Sequence, residues 1–309
     1  MMSIQSILKW FRPSPTDIAL VLSGGGARGY AHIGAIEELE RQGYHIRAVS
    51  GTSMGALVGG FYCAGKLQQL KEIVTTYSTK EWIGLMDVDL GFNHIVGGNK
   101  LTDRLADLLE GVYIEDLSIP FSCVAADMNE GKEKVFSEGP LVEAIRASIS
   151  IPGVFRPYDI DGHQYIDGTV FTPLPLQHVK RHKRDLLVAV DVNGRGIASE
   201  DAQPDMNQPA STTEADHTDK NLNIMKYLKG KLPFLRAKLA DNYFNMTKQV
   251  AQLGIQNSTA LLKQLYPPDI CAELPMKSYN IFDFTKAKEI CAAGTDAMHK
   301  ALEAYRGLR

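Results

Sequence analysis

Short apolar runs alternate with helical patterns along the first two thirds of the chain, and glycine-rich turns separate many of them. Residues 18–22 are continuously apolar and lead into a serine and three glycines, which predicts a fully buried strand. Between residues 31 and 43 apolar side chains recur at helical spacing, and Gly43 supplies a C-terminal stop signal. The same criteria predict further strands at 47–50, 121–126, 186–190 and 278–282, and further helices at 54–64, 101–109, within 222–265 and from residue 67 onward. Strands that alternate with helices predict an α/β fold with a mainly parallel central sheet.

Residues 194–222 interrupt this alternation, because they are rich in Ser, Thr, Asp, Asn, Gln and Pro and contain almost no apolar side chains. Such a composition predicts a mobile acidic loop. The region after it, 223–309, is modestly basic and has a helical pattern over much of its length. We find no internal repeat and no strong boundary before residue 193. The expectation is one domain over 1–309, with a core at 17–193 and a helical C-terminal extension.

Charge and composition exclude several classes of function. The formal net charge of -3 over 309 residues is too small to indicate a nucleic-acid partner. Residues 1–16 lack the pattern of a signal peptide, and no stretch approaches the ~18 apolar residues that would span a bilayer. The widely spaced cysteines form no C-x-x-C pair, which argues against a zinc site and fits a reducing compartment; they are Cys63, Cys123, Cys271 and Cys291. We expect a cytoplasmic protein, soluble or peripheral at a membrane.

The first motif with chemical content is G-x-S-x-G at Gly51, Ser53 and Gly55, between a predicted strand and a predicted helix. A serine on such a turn points its hydroxyl away from the sheet, and the glycines avoid clashes in the crowded turn. The N–H of Met54 would lie at the helix N-terminus, where free donors and the dipole favour an oxyanion. The pattern indicates a nucleophile at Ser53; the alternative is a tight helix entry that Ser53 merely caps.

The second motif is a glycine loop, Gly24-Gly25-Gly26-Ala27-Arg28-Gly29, which follows the first strand. Its letters also satisfy the dinucleotide pattern G-x-G-x-x-G, which expects an acid at the end of the second strand. That strand ends in a serine and runs directly into the G-x-S-x-G turn. The alternative is that Gly24, Gly25 and Gly26 offer backbone N–H groups as an oxyanion hole beside Ser53. Nucleotide binding and a purely structural turn remain open.

The third element is a base for Ser53. None of the histidines has a distinctive setting: His32, His45, His94, His163, His178, His182, His217 and His299. A buried carboxylate with a raised pKa would also accept the proton. Asp161-Gly162 separates two short alternating runs and predicts a type I′ hairpin turn. Asp167-Gly168 comes at the exit of the second run and is free to face a site, so Asp167 is the candidate base.

In order and spacing, these three elements resemble the patatin-like phospholipase family over residues 17–193. That family has a G-G-G-x-[KR]-G loop, matched by 24–29, a G-x-S-x-G turn, matched by 51–55, and a D-G-[GA] motif, matched by 167–169. Residues 147–157 resemble the block that precedes the family's aspartate. Thr169 stands where the family has Gly or Ala. Because a β-branched residue resists a positive φ, we expect Asp167 to be held slightly less well.

The resemblance implies a three-layer α/β/α sandwich and a serine-dependent acyl hydrolase with a Ser53–Asp167 dyad. Its oxyanion hole would come from Gly24, Gly25, Gly26 and Met54. The motif residues that would support these groups are Arg28, Gly29, Gly51, Gly55 and Gly168, and Arg28 is expected to steady the glycine loop. The resemblance implies a lipid or ester substrate and no metal or organic cofactor.

Between Lys226 and Lys238, basic residues are interleaved with apolar ones and no acid occurs. Such a segment suits a membrane surface or a lid over an acyl pocket, and it also suits a helix packed on the core with a solvated basic face. Two other classes of function stay open beside the hydrolase. One is a nucleotide-dependent enzyme that uses the glycine loop, and the other is a non-catalytic lipid-binding scaffold.

Overall fold

The computed structural model describes residues 16–85, 99–195 and 238–308. The expected loop at 194–222, after its first two residues, lies outside these ranges. So does the basic segment up to residue 237.

The elements follow the predicted alternation of strands and helices. The strands are β1 (Asp17–Leu22), β2 (His45–Thr52), β3 (Phe121–Asp127), β4 (Lys132–Phe136), β5 (Tyr158–Ile160), β6 (His163–Asp167), β7 (Leu186–Gly194) and β8 (Ile270–Pro275). The helices are α1 (Ala31–Arg41), α2 (Met54–Cys63), α3 (Leu67–Thr76), α4 (Thr79–Leu85), α5 (Asn99–Leu109), α6 (Leu141–Ser148), α7 (Lys238–Leu265) and α8 (Ala287–Gly307). Short 3-10 helices occur at Gly26–Tyr30, Ile114–Asp116, Gly168–Val170 and Phe284–Lys286.

One eight-stranded sheet has the order β5-β6-β3-β2-β1-β7-β8, and β4 pairs with β3 outside this path. The consecutive strands β3, β2, β1 and β7 and the edge strand β8 are parallel, whereas β4, β5 and β6 run antiparallel to their neighbours. The predicted α/β fold with a mainly parallel sheet is therefore confirmed. Because β1 and β2 are adjacent and parallel, the glycine loop and the G-x-S-x-G turn leave the sheet at the same edge.

Apolar side chains cover both faces of the sheet. Ile18, Leu20 and Leu22 of β1 pack into the larger core, where buried residues of α1, α2, α6 and α8 meet them. Ala19 and Val21 face the opposite way, into a smaller cluster that includes residues of the segment after β6. Burial on both faces explains why the 18–22 run is continuously apolar rather than alternating.

The predicted hairpin turn is present between β5 and β6. Asp161 has φ 53° and Gly162 has φ 81°, and both positive values are what a type I′ turn requires. The register pairs Ile160 with His163, which brings the end of β6 to the carboxyl-end region of β3.

The strand predicted at 278–282 is wrong. These residues form turns that are held by local bonds, such as the N–H of Asn280 donating to the Asp283 carboxylate. The last strand is instead β8, where buried and more exposed residues alternate and Ile270 pairs with Val188. The apolar residues at 278–282 serve another purpose, because the Ile281 carbonyl accepts a hydrogen bond from Ala27 in the glycine loop.

Candidate active site

Ser53 lies at the junction of β2 and α2 with φ 55° and ψ -122°, a conformation that is strained for a residue with a side chain. The flanking glycines make this turn possible through close approach. A Cβ on Gly51 would lie 2.3 Å from the Gly55 carbonyl oxygen, and one on Gly55 would lie 2.2 Å from the Leu22 carbonyl oxygen. The geometry is that of a nucleophile elbow, with a serine hydroxyl held at a strand-to-helix turn.

The structure brings Ser53 and Asp167 together. The Ser53 Oγ donates a hydrogen bond of 2.5 Å to the Asp167 Oδ2, and the two residues are 1% and 2% exposed. Asp167 ends β6, where it pairs with Ala125 of β3, the strand next to β2. Burial raises the pKa of Asp167 above its usual range, while the hydrogen bonds from Ser53 and Thr169 act to lower it. A carboxylate in such surroundings has the geometry and the raised basicity of a general base.

The C-terminal end of α6 and the residues directly after it hold both members of the pair. The Ser148 Oγ accepts a hydrogen bond from the Ser53 N–H at 2.8 Å and donates one to the Val124 carbonyl at 2.6 Å. The Ser150 carbonyl accepts the Asp167 N–H at 2.9 Å. Sequence reasoning noted this block through resemblance alone and gave neither serine a role. The available signal was the pair Ser148 and Ser150, separated by one residue and followed, after Ile151, by a Pro-Gly pair.

The expectation that Thr169 weakens the hold on Asp167 is wrong. Thr169 does not adopt a positive φ. Its backbone N–H and its Oγ1 both donate to the Asp167 Oδ1, at 2.9 and 2.6 Å. The steric restriction falls on Gly168 instead, where a Cβ would lie 2.3 Å from the Val124 carbonyl oxygen. Asp167 therefore has donors on both of its oxygens.

The glycine loop packs against the elbow. A Cβ on Gly24 would lie 3.2 Å from the Ser53 Cβ, and one on Gly29 would lie 2.3 Å from the Met54 Cβ. Gly26 has φ 57° and a Cβ there would approach the Ile281 carbonyl oxygen to 2.6 Å. The two glycine turns thus converge on one point at the carboxyl edge of the sheet.

Gly24 was predicted to be an oxyanion donor, but its N–H already donates to the Pro173 carbonyl at 3.0 Å. It therefore leaves the predicted set of donors. Within the described residues, the N–H groups of Gly25, Gly26 and Met54 have no acceptor. Gly24 instead provides space, since a Cβ there would lie 2.1 Å from the Thr169 Cγ2. The candidate oxyanion donors are therefore Gly25, Gly26 and Met54.

Arg28 is buried and steadies the loop rather than facing a ligand. Its Nε donates to the Val192 carbonyl and its Nη2 to the Asn193 Oδ1, both at 2.9 Å. The Asn193 Nδ2 in turn donates to the Gly24 carbonyl at 2.6 Å. Burial lowers the pKa of Arg28 to about 10, and Asp191 acts in the opposite direction. The guanidinium thus joins the loop to the carboxyl end of β7.

Among the histidines of the described ranges, none forms a hydrogen bond with Ser53 or Asp167. His32, in the first turn of α1, is fully buried, and burial lowers its pKa to about 4, so the ring is neutral. Its Nε2 lies 2.7 Å from the Ser23 carbonyl, which requires the proton on Nε2. His32 therefore fixes the start of the loop and is not placed to activate Ser53.

One cluster in the described part of the chain has the side-chain types of metal ligands: Asp127, Glu130 and His163. Asp127 already accepts hydrogen bonds from the backbone N–H groups of Asn129 and Glu130 and pairs with His163 at 2.8 Å. These contacts account for the turn between β3 and β4 without an ion.

Two cavities lie away from the Ser53–Asp167 pair. Their volumes are 290 and 440 Å³, and residues near the amino ends of β1, β2 and β3 line them. The exposed apolar side chains nearest to the base in sequence are Val170 and Phe171, 53% and 43% exposed. The Ser53–Asp167 pair itself lies buried at the carboxyl edge of the sheet. None of the helices in the described ranges combines the length and the apolar character needed to cross a bilayer.

Several known proteins are similar to this chain. A family model described as Patatin-like phospholipase matches residues 20–180. An uncharacterized NTE family protein of Mycobacterium tuberculosis is 32% identical and covers 94% of this chain and 93% of its own. Lysophospholipase NTE1 of Debaryomyces hansenii is 26% identical over 91% of this chain, which corresponds to 18% of that longer protein. The solved structure of VipD from Legionella pneumophila aligns with a TM-score of 0.39 at 12% identity, over 95% of this chain and 67% of VipD.

The family model spans just over half of the chain, and the mycobacterial relative aligns with nearly all of it. Together with a sheet of the expected type, these matches support lipid hydrolase activity as the class of function. This chain belongs to the patatin-like phospholipase family.

Proposed function

We propose that the protein is a serine-dependent lipid acyl hydrolase that works through Ser53 and Asp167. The observation that carries the proposal is the 2.5 Å hydrogen bond from the Ser53 Oγ to the Asp167 Oδ2, between two buried side chains at a strained turn. A carboxylate whose pKa is raised by burial accepts the serine proton more readily than an exposed one. No histidine is needed for this step.

The reaction has two halves. In the first, Asp167 takes the proton of the Ser53 hydroxyl while Oγ attacks the ester carbonyl carbon, and a tetrahedral oxyanion forms. The bond from that carbon to the leaving alkoxide then breaks, and the leaving oxygen takes the proton from Asp167. In the second half a water molecule gives a proton to Asp167 and attacks the acyl-enzyme. The free acid departs and Ser53 recovers its proton.

The oxyanion needs hydrogen-bond donors, and we assign the backbone N–H groups of Gly25, Gly26 and Met54 to that role. They have no acceptor within the described residues, and they belong to the two glycine turns that meet at Ser53. Met54 also begins α2, so the helix dipole adds to the stabilisation of negative charge. One such donor contributes about 10²–10³ in rate in comparable sites.

The substrate that we assign is an acyl ester of a lipid. Val170 and Phe171 lie three and four residues after Asp167 and expose apolar surface at the edge where the dyad lies. Apolar side chains at that position suit an acyl chain better than they suit a charged or sugar substrate. This support is independent of the family match.

The test is hydrolysis of p-nitrophenyl esters from acetate to palmitate, and of phospholipids and lysophospholipids in mixed micelles. We expect Ser53→Ala and Asp167→Asn each to lower kcat by about 10³-fold or more. Because the two groups act as a unit, the double variant is expected to lose no more than Ser53→Ala alone. Ser137→Ala and Asp107→Asn, both at exposed positions away from the dyad, serve as matched controls.

A fluorophosphonate probe provides a second readout that needs no turnover. We expect it to label Ser53 in the wild type and to label Asp167→Asn far more slowly. Hydrolysis that survives in Asp167→Asn would show that another group is the base. A wild type that neither hydrolyses any ester nor reacts with the probe would overturn the proposal in favour of a lipid-binding scaffold.

A further inference from the structure

The two oxygens of Asp167 face different partners. Oδ2 accepts the hydrogen bond from Ser53, and Oδ1 accepts two from Thr169, one from its N–H and one from its hydroxyl. The terminal torsion of an aspartate is soft and nearly two-fold, so a carboxylate held on one side only can rotate away from its target. Donors on the far oxygen remove that freedom.

We propose that the Thr169 hydroxyl is a positioning group for the reaction, because it fixes Asp167 with Oδ2 directed at the Ser53 hydroxyl. This inference rests on the proposed function. The Asp-Gly-Gly and Asp-Gly-Ala forms of the motif have no hydroxyl at this position, so the third donor to the carboxylate is a feature of this chain. Thr169 acts through Asp167 and does not itself touch the reacting carbon.

The side-chain methyl of Thr169 has a separate contact. It packs beside Gly24, where a Cβ would lie 2.1 Å from the Thr169 Cγ2. A β-branched side chain has few allowed rotamers, so this contact directs the hydroxyl toward Oδ1. The base and the glycine loop are thereby joined through one threonine. The methyl packs beside Gly24 and the hydroxyl donates to Asp167, so a substitution that removes only one of the two groups tests each contact by itself.

Few other groups can stabilise the ionised form of Asp167. Burial raises its pKa, and the opposing effects come from hydrogen bonds with Ser53 and Thr169 rather than from a charged neighbour. Five ionisable side chains on the surrounding elements have other partners. They are Asp127 of β3 with His163, Glu133 of β4 with Thr172 and His178, Arg146 of α6 with Thr102 and Ser150, Arg28 of the glycine loop with Val192 and Asn193, and His32 of α1 with Ser23. The same elements also carry other titratable groups: Tyr158 and Asp159 of β5, Tyr165 of β6, Lys132 and Lys134 of β4, Cys123 of β3 and Glu143 of α6.

Thr169→Val and Thr169→Ser form a matched pair. Valine keeps the branched shape and loses the hydroxyl, whereas serine keeps the hydroxyl and loses the methyl. Removing a hydrogen bond to the charged form raises a carboxyl pKa. In Thr169→Val we therefore expect the acid limb of the pH–kcat profile to move up by about one pH unit and the plateau kcat to fall about tenfold, with KM within about twofold. Thr169→Ser is expected to keep the wild-type limb, and Thr76→Val on the exposed side of α3 to leave activity unchanged.

A direct titration of Asp167 separates this inference from the proposed function. The carboxyl carbons are labelled with ¹³C, and the Asp167 signal is identified by its loss in Asp167→Asn. The titration midpoint is expected at higher pH in Thr169→Val than in the wild type, whether or not any ester is cleaved. An active wild type with the same acid limb and the same midpoint as Thr169→Val would overturn the inference alone. An inactive wild type with a shifted midpoint would overturn the proposed function and leave Thr169 as the group that sets the ionisation of Asp167.

Discussion

At the scale of single residues, the role proposed for Asp167 comes with a cost in stability. The residue is almost fully buried and no charged neighbour offsets that burial, so its pKa is raised. The folded state consequently binds this proton more tightly than the unfolded chain does. By linkage, the free energy of unfolding falls as the pH rises from the ordinary aspartate range through the raised pKa. Above that pH range Asp167 is ionised in both the folded and the unfolded state, and burial of its charge lowers the free energy of unfolding by a constant amount.

Replacement of Asp167 by asparagine is expected to remove the penalty. The amide oxygen can accept the two donors of Thr169, while the amide nitrogen faces the Ser53 oxygen as a neutral group. At pH 8 we expect Asp167→Asn to raise the Tm by about 2 °C, the shift that roughly 1 kcal/mol produces in a domain of this size. The same variant is the one expected to lose hydrolysis, which is the usual trade between stability and activity.

Calorimetry from pH 4 to pH 8 measures this effect. The difference in Tm between wild type and variant should shrink toward the acid end, where Asp167 is protonated and neutral. Asp107→Asn, on the exposed face of α5, should show no such trend. A variant that is less stable than the wild type at pH 8 would mean that the hydrogen bonds fully offset the burial of the charge.

At the scale of elements, hydrogen bonds from residues distant in sequence fix the glycine loop. In the proposed mechanism the N–H groups of Gly25 and Gly26 stay free for an oxyanion, so the geometry of the loop cannot depend on bonds that those two donors would make. The loop is fixed instead through Gly24, whose N–H donates to Pro173 and whose carbonyl accepts the Asn193 amide. Asn193 also holds Arg28, so one side chain of β7 secures both ends of the loop.

Asn193→Ala is expected to loosen this arrangement. It leaves the Gly24 carbonyl and one Arg28 donor without their partners, which costs about 1–3 kcal/mol of stability. Because the oxyanion donors lose their fixed positions, we expect kcat to fall about tenfold while KM changes little. Steady-state kinetics together with thermal melts checks both parts.

The control for this variant is Asn257→Ala, at an exposed position of α7. It should leave both kcat and Tm near the wild-type values. A loss of stability in Asn193→Ala without any loss of kcat would show that the loop keeps its geometry without the asparagine, contrary to the expectation.

At the scale of the whole molecule, the C-terminal helix supports the active site from a distance. α8 packs on α1, the helix that follows the glycine loop, with the two backbones in close contact. A Cβ on Gly34 would lie 1.9 Å from the Cys291 carbonyl oxygen, and one on Gly294 would lie 1.9 Å from the Ala31 carbonyl oxygen. A residue near the C-terminus therefore determines how α1, and with it the glycine loop, sits against the sheet.

Gly294→Ala is expected to force the two helices apart and to lower the free energy of unfolding by about 1–3 kcal/mol. The matched control is Gly254→Ala in α7, where a new Cβ would meet nothing within 4 Å. That substitution should be neutral or stabilising by about 0.5–1 kcal/mol, because alanine restricts the unfolded chain and favours a helix. Denaturant unfolding of both variants tests the pair, and equal stabilities would contradict the close contact between α1 and α8.

The sequence alone determined the features that depend on local physics. Apolar runs placed the central strands, glycine signals placed the turns, and Asp161-Gly162 defined a hairpin that brings Asp167 to the end of β6. The motif order also identified Ser53 and Asp167 as a candidate pair, and the structure places their side chains in contact. These inferences needed no knowledge of what lies across the sheet, because strand burial and turn conformation are set within a few residues.

Only the tertiary structure decided which donors are free and which are already used. The N–H of Gly24 is taken by Pro173, which is distant in sequence, and the hydroxyl of Thr169 turns out to hold the base rather than loosen it. The pattern at 278–282 predicted a strand, but these residues form turns, and the Ile281 carbonyl accepts a hydrogen bond from the glycine loop. Hydrogen-bond partners across a sheet edge depend on the packing of distant segments, and a linear pattern of side chains contains no record of that packing.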